Sequence, residues 1–68
     1  MRMAAQSTTL NLLTRDGGIR VTFTPALEPS QYDQLLDVST KSDDAPHLTH
    51  LLSTLAHAWG RMVKIDPC

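Results

Sequence analysis

Residues 9 to 23, TLNLLTRDGGIRVTF, constrain the fold of this chain more than any other stretch. Two alternating, β-rich runs flank Asp16-Gly17, a pair suited to a two-residue type I′ turn because both central positions need φ > 0. That turn sets Leu10 opposite Phe23, Leu12 opposite Val21 and Thr14 opposite Ile19 on one face. The other face then carries Thr9 with Thr24, Asn11 with Thr22 and Leu13 with Arg20. A slip of one residue would mix apolar and polar faces, which a half-buried sheet does not permit.

Pro25 ends the second strand because it has no amide for the ladder. The segment LEPSQYDQLLDVS that follows predicts a helix of two to three turns. Pro29 suits the first helical position, and Glu28 sits beside the positive helix end. Leu27 and Tyr32 have the spacing of a hydrophobic staple. Tyr32, Leu35, Leu36 and Ser39 form the expected buried face at i, i+3, i+4, i+7.

Asp43 and Asp44 are placed to cap a second helix over PHLTHLLSTLAHAW, and Gly60 is its natural C′ residue. Leu48, Leu51, Leu52, Leu55 and Trp59 make a wide apolar stripe on it. Trp59 reads as a plug against the sheet. RMVKI then alternates, with Val63 and Ile65 on one side, as a third strand. The order is ββααβ: an α+β domain with both helices on one face of a small three-stranded sheet.

Sixty-eight residues make one small domain, residues 1 to 68, with residues 1 to 7 expected as a loosely held arm. Such a domain buries only about 60% of the surface its unfolded chain exposes, so its core is thin. Cys68 is the sole cysteine, so no disulfide compensates. A second copy is another common way to bury apolar surface, and a homodimer is expected on that ground.

Net charge is −1, and the six Lys and Arg residues are scattered. Nucleic acid and anionic membranes want a concentrated basic face, so both are disfavoured as partners. The start, MRMAAQSTT, lacks the apolar run of a secretory signal, and the lone thiol suits a reducing interior. The expected compartment is the cytoplasm.

His47, His50 and His57 share a stripe beside the apolar face of the second helix, where they read as solvated flank or partner contact. A rim of imidazoles would also suit a contact that responds to pH. His50 and His57 stand about 10 Å apart along the axis and cannot share one ion. Asp43, His47 and His50 form a weak candidate metal set without a fourth ligand, so no metal site is assigned.

No G-x-S-x-G, phosphate-cradling loop or spaced acid pair is present, and Gly17-Gly18 belongs to a turn rather than opening a helix. No catalytic residue and no cofactor are assigned. The expected function is a small non-catalytic protein-interaction module, an adaptor, complex subunit or inhibitor, binding a protein partner or itself. It would dock through a sheet edge, the outer sheet face or a helix flank; strand addition at an edge needs no side-chain motif. Its expected contacts are Leu13, Arg20, Thr22 and Asn11 on the outer sheet face and His50 and His57 on the helix flank. The alternative is a small dimeric nucleic-acid-binding or antitoxin-like regulator that sets the hairpin's outer face in a groove.

Overall fold

The structure is a computed structural model that describes residues 6 to 68. Strands β1 (Thr8–Leu12) and β2 (Ile19–Thr24) precede helices α1 (Pro29–Lys41) and α2 (Ala45–Ala58), and β3 (Met62–Pro67) follows. The sheet is antiparallel in the order β1-β2-β3, with the hairpin's second strand at its centre. The ββααβ order and α+β class expected from the sequence are therefore those of the chain. The loose arm expected over residues 1 to 7 falls mostly on residues 1 to 5, which lie outside the described residues. Ser7 is described, and its hydroxyl is 2.7 Å from that of Thr24.

The hairpin register differs from the expected one by two residues. Thr8 pairs with Phe23, Leu10 with Val21, Asn11 with Arg20 and Leu12 with Ile19. The loop is therefore residues 13 to 18 rather than two residues. Thr14 explains the difference. Its carbonyl accepts from Gly17 N at 3.3 Å, and its buried hydroxyl accepts from Gly18 N at 2.7 Å. Positive φ falls on Gly17 (119°) and Gly18 (93°), while Asp16 keeps an ordinary negative value. The type I′ turn needed Asp16 itself at positive φ, and two adjacent glycines offer that conformation at lower cost. An even slip preserves which side chains share a face, so the apolar face survives the change.

The core is Ile19, Val21, Phe23, Leu27, Leu35, Leu48, Leu52 and Ala56. Three come from β2, whose helix-facing side is covered by both helices. Trp59 packs against this cluster, its ring centroid 6.0 Å from that of Phe23. Val63 and Ile65 of β3 complete it as half-buried neighbours.

Helix α1 buries only part of the expected face, keeping Leu35 and half-burying Ser39 but turning Tyr32 and Leu36 out. Leu35 is buried, with Gln31 and Val38 half-buried at i−4 and i+3, whereas Leu36 is 59% exposed and Tyr32 lies at the surface. The choice between stripes 100° apart on a helix depends on where the sheet lies, which periodicity alone does not encode. The helix also runs past the polar Ser39-Thr40. Their hydroxyls bond back to the carbonyls of Leu36 and Asp37, and Lys41 pairs with Asp37 at 3.0 Å.

Helix α2 begins and ends as its sequence dictates. Asp44 accepts from His47 N at 3.1 Å, satisfying a free amide of the first turn. At the other end Gly60 N donates to His57 O and Arg61 N to Ala56 O, the paired bonds of a Schellman motif with Gly60 at φ 70°. Nothing lies within 4 Å of a Cβ built on Gly60, so Gly60→Ala carries only the conformational penalty. We expect that substitution to cost about 1 kcal/mol in urea unfolding. A loss of 3 kcal/mol or more would mean that an unseen contact is being broken.

Candidate functional site

Both helices cover one face of the sheet, which leaves the opposite face, the two edge strands and the outer sides of the helices as exposed surfaces. The outer face is mostly polar and internally paired, with Met62, 76% exposed, as its one large apolar side chain among the described residues. Thr9 and Thr22 hydroxyls are 3.1 Å apart, and Arg20 Nε donates to Asn11 Oδ1 at 3.3 Å. Thr24, Lys64 and Asp66 extend the same face, with Lys64 Nζ 4.0 Å from Asp66. Arg20, Thr22 and Asn11 are thus brought together as expected, although Asn11 stands opposite Arg20 and not Thr22.

Leu13 is not part of that face. The longer loop removes it from the strand and leaves it 89% exposed at the hairpin tip, so its expected place beside Arg20 is corrected. His50 and His57 are exposed on α2, across the sheet from Arg20 and Thr22. The six expected contact residues therefore fall into three separate surfaces. Asp43, His47 and His50 do not assemble either. Asp43 faces Arg15 at 3.9 Å, His47 Nδ1 is 3.1 Å from the Ser42 hydroxyl, and no three metal-ligating side chains converge among the described residues.

The hairpin loop is tied to the helix junction. Arg15 N donates to Asp43 O at 2.9 Å, and Ala45 N lies 3.4 Å from Asp16 Oδ1 at the start of α2. The Asp16 carboxyl titrates below the ordinary carboxylate value, chiefly because of the Thr14 hydroxyl. Slight desolvation opposes this, and the amides of Asp16 and Ala45 and the Arg15 charge reinforce it. Next to this contact an open hollow of about 360 Å³ is floored by Ile19, Ala45 and Ile65, with Asp16 and Asp66 on its rim. No basic residue lines it, which disfavours an anionic ligand there.

The two sheet edges expected as docking routes differ from each other. Edge strand β3 carries Lys64, Asp66 and Pro67, residues that block further strand pairing. Edge strand β1 reads TTLNL, with no charge, proline or glycine, and nothing pairs with its outer side among the described residues. Its helix-side leucines, Leu10 and Leu12, are only half-buried. The signal was present in the sequence, but it becomes an edge only once β2 is known to be central.

Comparison with family models, curated proteins and solved structures finds no match to this chain. No helix among the described residues is long and apolar enough to cross a membrane.

Proposed function

We propose that the chain is a small non-catalytic protein-interaction module of the cytoplasm, an adaptor, complex subunit or inhibitor that docks through its exposed sheet. The observation that carries this reading is the unguarded β1 edge beside half-buried Leu10 and Leu12. A free strand edge binds through main-chain hydrogen bonds, and neighbouring apolar side chains add selectivity. Such binding needs no side-chain motif, which fits a sequence without catalytic or nucleotide-binding signatures. The paired polar groups of the outer face, Thr9 with Thr22 and Asn11 with Arg20, give a flat rim suited to protein contact.

The test is the size of the tagged chain in extract of its native cell, with and without nuclease, at low and moderate salt. The expected result is elution in a protein assembly that survives nuclease and loses little on adding salt. Elution at the chain's own 7.5 kDa overturns the reading. Release by nuclease, with a steep salt dependence, overturns it in favour of nucleic-acid binding.

A further inference from the structure

Resting on the interaction-module reading, we propose that the partner at β1 is a second copy of this chain. The two β1 strands pair antiparallel about a two-fold axis and join the two sheets into one of six strands.

The strand is complementary to itself. A two-fold centred on Leu10 pairs Leu10 with its own copy, Leu12 with the partner's Thr8 and Asn11 with the partner's Thr9. Residues Thr8, Leu10 and Leu12 lie on the helix side of the sheet, so the apolar positions meet apolar or small ones there. Asn11 and Thr9 meet on the outer face, where amide and hydroxyl can hydrogen-bond across the seam. No like charges are brought together, and an isologous interface demands this kind of self-complementarity.

Helix α1 extends the same surface. Tyr32 Oη lies 3.3 Å from the Thr8 hydroxyl, and Leu27 N donates to that hydroxyl at 2.9 Å, fixing the start of α1 beside the start of β1. The Arg15 N to Asp43 O bond fixes the region after α1 beside the loop that follows β1. The helix therefore runs alongside β1 in the same direction, while α2 packs against β3. The flank of α1 that reaches Thr8 carries Tyr32, Leu36 and Ser39, all uncharged, with Thr40 and Asp33 at its solvent margin and Asp37 and Lys41 turned further away. In the two-fold pair this flank meets its own copy antiparallel and covers Leu36. A standard interface buries roughly 800 Å² per partner, more than five paired residues supply, so the α1 flank is a required part of the contact.

Sedimentation of the purified chain over a concentration series, with reductant, tests the proposal. A species of twice 7.5 kDa is expected. The double variant Thr9→Glu with Asn11→Glu sets like charges opposite each other across the seam twice. Within the protomer these side chains face Thr22 and Arg20, so the monomer fold should persist by circular dichroism. Its dissociation constant is expected to rise at least about tenfold. Mixing it with Thr9→Lys, Asn11→Lys should restore a dimer made of one chain of each kind.

A parent chain that stays monomeric at roughly millimolar concentration overturns the proposal. So does a dimer indifferent to the glutamates, or a monomer that dimerises only after residues 1 to 5 are removed. A purified monomer that still enters a protein assembly in cell extract overturns self-pairing and leaves the interaction module standing. A monomer in both settings overturns both.

Discussion

Phe23→Ala is expected to leave the isolated chain mostly unfolded at 25 °C. Phe23 is fully buried on the central strand, between Thr8 of β1 and Val63 of β3, and its ring meets Trp59 at 6.0 Å. Removing a buried phenylalanine side chain costs about 3–5 kcal/mol in lost transfer energy and residual cavity. Total stability at about 0.05–0.15 kcal/mol per residue spans about 3–10 kcal/mol for this length, and a domain with so thin a core belongs at the low end of that range. Little surrounding core exists to close the void, because only eight apolar residues are buried among the described residues. Leu13→Ala is the matched control: at 89% exposure it should change stability by no more than about 0.5 kcal/mol. Urea unfolding of both variants decides. Equal losses would mean that Leu13 is buried and not at the surface of the loop over residues 13 to 18.

That control also marks how far the sequence could be read. Alternation in residues 9 to 23 specified a hairpin and sorted its faces, because face identity depends only on whether a position is odd or even. It did not specify the loop, since registers two residues apart keep the same faces. The choice fell to Thr14, whose burial and bonds to Gly17 and Gly18 are tertiary and local at once. The ends of α2 were legible for the opposite reason: Asp44 and Gly60 act on backbone groups three or four residues away. Helix α1 shows the limit of periodicity. The expected face of Tyr32, Leu35, Leu36 and Ser39 shares Leu35 with the face that is buried, Gln31, Leu35 and Val38, and the position of the sheet decides between them. Tyr32 and Leu36 are thereby left exposed, and these two residues, expected in the core, belong to the proposed interface.

Arg61 was the least legible residue, one of six scattered cations, and its removal is the second large expected effect. Its side chain is only 13% exposed, with Nη2 donating to Ala26 O at 3.1 Å and Nη1 to Trp59 O at 3.2 Å. It thereby ties the link between β2 and α1 to the C-terminal end of α2. Its Nε has no partner, so the guanidinium is already incompletely satisfied. Hydrogen bonds from a charged donor contribute about 1.5–3 kcal/mol, and carbonyls left without a donor add to the loss. Against this stands the unfavourable burial of the cation itself, which its removal relieves. We expect Arg61→Ala to cost about 2–3 kcal/mol net. The carboxylate of Glu28, 4.0 Å from Nη2 and 70% exposed, should contribute little, so Glu28→Gln is expected within about 0.5 kcal/mol of the parent. Arg61→Lys separates charge from geometry, because a single ammonium cannot hold two carbonyls in a planar fork, and it should recover less than half of the loss. Denaturation of the three variants, with Arg61→Ala combined with Glu28→Gln to close a double-mutant cycle, gives each quantity. Full rescue by lysine, or a Glu28 coupling as large as the Arg61 loss, would mean that the ion pair, and not the two carbonyl contacts, holds this end of the domain together.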